Sequence, residues 1–167
     1  MKYLVFLLAA IGCTSIANAQ GLTRNDMVGT YHITSITQSG ITVYANQKAD
    51  SAVYQNMQKL RKDKPKYTAD DSLKITVQVN MIQPMVDDFS KNTFDFRNDD
   101  TLVVYSGKKA EDMVIWTFDD KKQVLVTTDK KKKVEEFPAV LRDKKATVSF
   151  TSKDFNDVPF TLEMTKD

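Results

Sequence analysis

The sequence predicts a mainly β fold, an antiparallel sandwich or barrel that is interrupted by one helical segment. Seven strand-like runs follow one another between residues 93 and 165. They begin about 8–12 residues apart and are separated by turn residues, which is the pattern of an antiparallel meander. Apolar and polar residues alternate within the runs, so each strand should have one buried and one solvated face.

Strands are predicted at nine places along the chain. Two precede the helical segment, at 29–37 and 41–44, and the other seven are at 93–97, 101–106, 113–118, 123–128, 134–141, 146–151 and 158–165. Turn chemistry, such as Gln38-Ser39-Gly40, separates neighbouring strands. Since no repeat or low-complexity linker divides the chain, we expect residues 20–167 to form one domain.

Residues 49–90 are predicted to be a helical insertion. A first helix covers 50–62, and a second covers most of 70–90. Thr68 and Asp71 offer a capping box at the start of the second helix. A strand over 73–81 is the alternative, because every second residue there is also apolar. The apolar residues at helical spacing are Val53, Met57 and Leu60 in the first helix, and Ile75, Val79, Ile82, Val86 and Phe89 in the second.

The composition narrows the class of protein. The chain has 167 residues, 41% hydrophobic and 10% aromatic, which is enough to bury a core and argues against disorder. Its 24 basic and 22 acidic residues leave a net charge of +2, so nothing global indicates nucleic-acid binding. The single histidine and single cysteine exclude most metal clusters and His-based nucleophilic systems. We predict no cofactor and no metal site.

The N-terminal residues 1–19 read as a secretory signal. Lys2 is followed by a short apolar run, and Ala17-Asn18-Ala19 has the small-residue pattern of a cleavage site. The apolar run is shorter than the roughly 20 residues that span a bilayer. Cys13 gives an alternative, since Ala10-Ile11-Gly12-Cys13 resembles a lipobox and would anchor a lipoprotein to the membrane. Both interpretations place the protein outside the cytoplasm, secreted or periplasmic, and we favour cleavage after Ala19.

One motif resembles a known family. Gly29-Thr30-Tyr31 follows a short polar segment and opens the first strand, and the chain ends in the strand Phe160-Thr161-Leu162-Glu163-Met164. These features are similar to those of secreted bacterial lipocalin-like domains, although Tyr31 stands where tryptophan is usual and residues 49–90 have no counterpart in the usual meander. The resemblance implies an up-and-down barrel of eight to nine strands that can hold a small apolar molecule. It implies no catalysis.

Alternation assigns one face of the strands to the barrel interior. This face comprises Tyr31, Ile33, Phe94, Phe96, Val104, Trp116, Phe118, Val124, Val126, Val148, Phe150, Phe160, Leu162 and Met164. Its aromatic members are the candidate ligand-lining residues: Tyr31, Phe94, Phe96, Trp116, Phe118, Phe150 and Phe160. An eight-stranded barrel is only just wide enough for side chains to fill or for one small ligand. The interior is therefore either a filled, dry core or an aromatic-lined cavity.

Lysines should gather at one end of the barrel. Successive hairpin turns of a meander alternate between the two ends, so the turns near 107–109, 129–133 and 152–154 share one rim. The lysine-rich rim comprises Lys108, Lys109, Lys130, Lys131, Lys132, Lys133 and Lys153. Such a rim would attract anionic partners such as a fatty carboxylate. Solubility is the alternative explanation, because exposed turns and sheet edges commonly carry lysine.

Catalysis is not expected. His32 lies at an outward strand position with no partner nearby in the sequence, and adjacent carboxylates on a strand point to opposite faces. The leading hypothesis is a non-enzymatic, monomeric lipocalin-like protein, secreted or in the envelope, that binds a small hydrophobic or amphipathic molecule. The alternative is an envelope protein-interaction module with a filled core, acting through its loops or through residues 49–90. Neither hypothesis involves nucleic acid or a transmembrane segment.

Overall fold

The protein is a closed antiparallel barrel of eight strands with one additional strand and helices. The computed structural model describes residues 23–142, 144–151 and 158–167. The predicted signal sequence, with Cys13, and the rim residue Lys153 lie outside the described residues. The elements in order are α1 (Arg24–Met27), β1 (Gly29–Gln38), β2 (Ile41–Tyr44), α2 (Ala49–Asp63), α3 (Ala69–Phe89), β3 (Asn92–Phe96), β4 (Thr101–Ser106), β5 (Lys109–Asp119), β6 (Val124–Thr128), β7 (Val134–Arg142), β8 (Lys145–Thr151) and β9 (Pro159–Lys166).

Strand β1 closes the barrel. From β3 to β9 each strand pairs with the next in an up-and-down meander, and β9 then pairs with β1. The other edge of β1 is shared, because its residues 29–32 pair with β3 and its residues 35–38 pair with β2. β2 is thus the additional strand and extends the sheet beyond the start of β3. The predicted up-and-down barrel is confirmed.

The nine predicted strands are all present, and the helical insertion is confirmed with bounds close to those predicted. The alternative strand over 73–81 is wrong. In α3, Ile75 and Val79 are buried, whereas Val77 and Met81 are 50% and 48% exposed. Residues four apart lie on one face of a helix, so an alternating run is divided between a buried and an exposed face. The segment is one continuous helix that includes Pro84.

The predicted inward face is wrong at β6. Leu125 pairs with the inward Phe118 and is buried, whereas Val124 and Val126 pair with Asp119 and Thr117 on the outer face. Three apolar residues in a row, Val124 to Val126, leave alternation unable to choose a face. The hairpin register between β5 and β6 makes the choice.

Helix α3 covers the inward face of the β1–β2 hairpin. Ile36 and Val43 are cross-strand partners and are fully buried, whereas Tyr44, on the other face of β2, is 48% exposed. α3 contacts both strands, and α2 packs beside α3 and β2. The buried stripe of α3 (Ile75, Val79, Ile82 and Val86) belongs to the same apolar cluster as the barrel core. None of the described helices is long and apolar enough to cross a bilayer.

The free edge of β2 is covered by a side chain of α2. The Asn56 amide oxygen accepts the backbone N–H of Thr42 at 3.0 Å, and the amide nitrogen donates to the Thr42 carbonyl at 2.7 Å. Asn56 is 6% exposed. The Asn56 amide therefore satisfies the backbone N–H and carbonyl of Thr42, with which a further strand would otherwise pair.

The link between α2 and α3 is held by Asp71. The Lys64 ammonium donates to its two carboxylate oxygens at 2.7 and 2.9 Å, and the backbone N–H and hydroxyl of Thr68 donate to Oδ2 at 2.8 and 2.9 Å. The predicted capping box is therefore formed. These hydrogen bonds, that of Lys64 first, lower the pKa of Asp71 to about 2.

Gly29→Ala should lower the free energy of unfolding by about 1–3 kcal/mol, because the backbone there suits glycine. Its φ is +138°, and a Cβ would lie 2.5 Å from Cε of Lys166. Urea denaturation measures the loss. In a Lys166→Ala background the contact is relieved and the φ is unchanged, so part of the loss should remain. Unchanged stability of Gly29→Ala would contradict this expectation.

The stability of the α2–α3 link should depend on acid pH through Asp71. Its folded-state pKa of about 2 lies below the roughly 3.9 of an unfolded aspartate. The stabilisation is therefore complete above pH ~4 and is lost as the pH falls toward 2. In urea denaturation, the advantage of the wild type over Asp71→Asn should shrink across this interval. The stability advantage of the wild type over Lys64→Met should shrink over the same pH interval by most of the same amount. If the stability difference between the wild type and Asp71→Asn does not change with pH, the assignment to Asp71 is wrong.

The barrel interior as a candidate ligand-binding site

One end of the barrel is packed solid with aromatic side chains. We call it the closed end; β1 begins there and β9 ends there. Tyr31 and Phe96 make an edge-to-face contact with ring centroids 5.6 Å apart, and Phe96 makes another with Trp116 at 5.2 Å. All three are at most 2% exposed. No room is left for a ligand between these rings, because the edge-to-face distances are those of direct packing.

Helix α1 covers the closed end. Its Met27 is fully buried, and the Arg24 guanidinium lies 5.0 Å from the centroid of the Trp116 ring. Arg24 also donates to the Asn98 carbonyl at 2.8 Å and to the Asp100 carboxylate. The indole N–H of Trp116 donates to the Arg97 carbonyl at 3.2 Å. The buried indole thus has its polar partner, and the cation above its ring excludes solvent from this end.

The hydroxyl of Tyr31 is held by α1. It donates to the Asp26 carbonyl at 3.1 Å, and the ammonium of Lys166 lies 5.9 Å from the ring centroid. Burial, with the nearby Asp26 charge, raises the pKa of Tyr31 to about 12. Hydrogen bonds from the Thr23 hydroxyl and backbone lower the pKa of Asp26. Tyr31 is therefore a neutral structural residue at physiological pH.

At the opposite end, which we call the open end, several inward side chains are only partly buried. Phe94, Val104, Phe137, Phe150 and Leu162 all lie on the inward face by their strand pairing, yet each remains partly exposed. These side chains are less deeply buried than Tyr31, Phe96 and Trp116, which are at most 2% exposed.

Aromatic side chains pack together on the inward face near the start of β9. Phe150 stacks on the fully buried Phe160 with ring centroids 5.2 Å apart and an interplanar angle of 17°. Met85 and Phe89 of α3 are partly buried against the same apolar core. The partly buried inward side chains are apolar, which is the chemistry of a site for a hydrophobic molecule.

The predicted aromatic lining divides between the two ends. All seven candidates lie on the inward face. Phe94 and Phe150 are partly exposed, and the fully buried Phe160 stacks on Phe150. The other four are buried within the core: Tyr31, Phe96, Trp116 and Phe118. The prediction missed Phe137, a third partly buried aromatic on the inward face. Its alternation with Ala139 and Leu141, both inward, is the signal that identifies it.

The described part of the lysine-rich rim lies at the open end, as the meander predicts. Lys108 and Lys109 lie at the β4–β5 turn, and residues 130–133 at the β6–β7 turn, and all are exposed. Lys109 pairs with Glu111 at 3.0 Å, and Lys133 pairs with Glu135 at 2.5 Å, which raises the pKa of Lys133. The rim is therefore basic but partly neutralised.

His32 lies on the outer wall, away from the interior. Its Nε2 is 3.2 Å from a carboxylate oxygen of Asp167, and its Nδ1 is 3.4 Å from the hydroxyl of Thr93. Both partners are brought together by the strands on either side of β1 and lie far from His32 in the sequence. The side chains of His32 and Asp167 are 46% and 60% exposed, so this is a solvent-exposed contact on the surface of the barrel.

A second concavity lies between the β1–β2 turn and the helices. It has a volume of about 370 Å³ and is lined by Gly40, Asn56, Leu60, Ile75 and Gln78, among others. Several of these side chains already hold the insertion together. Among the described residues, no group of three or more His, Cys, Asp or Glu side chains is placed to bind a metal ion.

Comparison of the chain with protein-family models, with curated proteins and with solved structures finds no match in any of the three.

Proposed function

We propose that the protein is a non-enzymatic binding protein, secreted or located in the cell envelope, that holds a small hydrophobic or amphipathic molecule in the open end of its barrel. One observation carries the proposal. Inward aromatic side chains at the open end, Phe94 and Phe150, remain partly exposed, whereas Tyr31, Phe96 and Trp116 at the closed end are at most 2% exposed. A molecule entering there would bury apolar surface that water now contacts.

The lysine-rich rim indicates how the proposed ligand would be oriented in the barrel. The apolar part of an amphipathic molecule would lie against Phe94, Phe137 and Phe150, and a polar head would remain at the rim. The exposed lysines near residues 130–132 favour an anionic head, such as a carboxylate. The closed end, where Trp116 is sealed beneath Arg24, limits the depth that the ligand can reach.

A second candidate function is the envelope protein-interaction module. It is supported by apolar side chains exposed on the helical insertion, Leu73, Val77 and Met81. The two functions differ in where a blocking substitution acts, on the inward face of the barrel or on the helical surface.

Val104→Trp should weaken binding of a fluorescent fatty acid, 11-(dansylamino)undecanoic acid, at least about tenfold. Val104 is inward and partly exposed at the open end, so the larger ring would occupy the space of the ligand. Fluorescence titration of protein freed of lipid measures the affinity. Val140→Trp is the matched control, because Val140 is 50% exposed on the outer face of β7. Failure of the wild type to bind, or equal binding by Val104→Trp, would contradict the proposal.

Charge reversal at the rim should weaken binding of the same carboxylate probe severalfold. We expect this for the triple substitution Lys130→Glu, Lys131→Glu and Lys132→Glu. The effect should largely disappear in about 0.5 M sodium chloride, where the screening length is about 4 Å. Lys121→Glu with Lys122→Glu, at the closed end, is the matched control and should change little. Equal losses in both variants would show that net charge, and not the rim, matters.

A further inference from the structure

The concavity between the β1–β2 turn and the helices has the mixed lining of a small-molecule site. Its volume of about 370 Å³ lies within the roughly 300–1,000 Å³ of ligand pockets. Its walls come from the turn at Ser39 and Gly40, the second half of α2 and the first half of α3. Part of the lining is apolar and buried, since Ile41 and Ile75 are 8% and 1% exposed and Leu60 is partly buried.

Two buried polar residues of the lining are already engaged by the fold. The Asn56 amide bonds to both backbone groups of Thr42. The Asp71 carboxylate accepts from the ammonium of Lys64 and from Thr68, so its charge is compensated within the chain. Asn56 and Asp71 therefore shape the cavity and do not determine which charge a ligand carries.

Four further polar side chains of the lining have no such partner. They are Lys59 and Asp63 of α2, and Lys74 and Gln78 of α3. Within the part of the chain that the structure describes, none of the four side chains makes a hydrogen bond or an ion pair. Lys59 and Asp63 are one helical turn apart on the same face of α2, yet they do not pair with each other. Charges of both signs therefore line the cavity and are available to a ligand.

These groups correspond to the parts of a zwitterionic amino acid. Cβ atoms one helical turn apart are separated by about 5–6 Å, which suits a ligand whose own opposite charges lie close together. The carboxylate of an amino acid would be attracted to Lys59 and Lys74, and its ammonium group to Asp63. An apolar side chain would pack against the apolar part of the lining. A ligand with a single charge would leave either the lysines or Asp63 facing a like charge or no charge.

We propose that this cavity binds a free amino acid with an apolar side chain, in its zwitterionic form. Lys59 and Lys74 bind the carboxylate, Asp63 binds the ammonium group, and Ile75 with its apolar neighbours receives the side chain. The lining shares no residue with the candidate lining of the barrel. The proposal therefore goes beyond the proposed function of the barrel and does not depend on it.

L-Leucine is the probe that tests the proposal. In an NMR titration it should shift the signals of the Gly40 backbone amide and the Gln78 side-chain amide saturably, with a dissociation constant of about 1 mM or tighter. Three molecules that each lack one part of leucine should bind at least about tenfold more weakly: 4-methylpentanoate, 3-methylbutan-1-amine and glycine. No saturable shift up to about 20 mM leucine, or equal affinity for 4-methylpentanoate, would overturn the proposal.

Asp63→Asn tests the contact with the ammonium group. It should weaken the binding of leucine at least about tenfold and should not weaken that of 4-methylpentanoate, which has no ammonium group. Asp63 is exposed, so the melting temperature should change little. Asp50→Asn is the matched control, because Asp50 is exposed in the first turn of α2 and lies outside the lining. Unchanged leucine binding by Asp63→Asn would overturn the proposal.

Gln78→Trp tests the location of the site. The larger ring would occupy the cavity and should weaken leucine binding at least about tenfold. Asn80→Trp is the matched control, since Asn80 is exposed on α3 and lies outside the lining. If Val104→Trp in the barrel abolishes leucine binding and Gln78→Trp does not, the amino acid binds in the barrel and the proposal is overturned.

Discussion

The pairing of β1 on both of its edges is the constraint on which the rest of the molecule depends. One edge pairs with β9 and closes the barrel, and the other is divided between β3 and β2. Closure places one face of every strand inside. The division leaves the β1–β2 hairpin extending past the start of β3, and α3 packs on the inward face that this hairpin presents. Closed end, open end and helical insertion all follow from how this one strand is shared.

Much of the fold could be predicted from local patterns. Alternation and turn residues predict the strands, and helical spacing with the Thr68–Asp71 capping box predicts α3. Alternation is insufficient wherever apolar residues are consecutive. Leu125 faces inward because it pairs with Phe118 on the neighbouring strand, and the local sequence pattern does not specify this register. The ambiguity over 73–81 has a similar origin, because apolar residues occupy two faces of α3 there. Ile75 and Val79 are buried, whereas Val77 and Met81 are exposed.

The sequence could predict which residue types face inward at the candidate site, but not how deeply each side chain is buried. Alternation identifies an aromatic inward face correctly, including Phe94 and Trp116. It cannot say that Trp116 is sealed while Phe94 is partly exposed, because the seal depends on α1 and on Arg24, which is far from Trp116 in the sequence. The approach of Asp167 to His32 is equally non-local. Contacts across the closed barrel are set by pairing between the first and last strands, which no local pattern records.

The amide of Asn56 has a consequence for how copies of this chain behave while they refold. β2 is short, and the backbone groups of Thr42 are occupied by a side chain of the same molecule. A neighbouring molecule cannot add its own strand there without first displacing α2. Should α2 detach, the backbone N–H and carbonyl of Thr42 would be free to pair with a strand of another molecule. The helical insertion thus acts as a built-in guard against self-templated assembly.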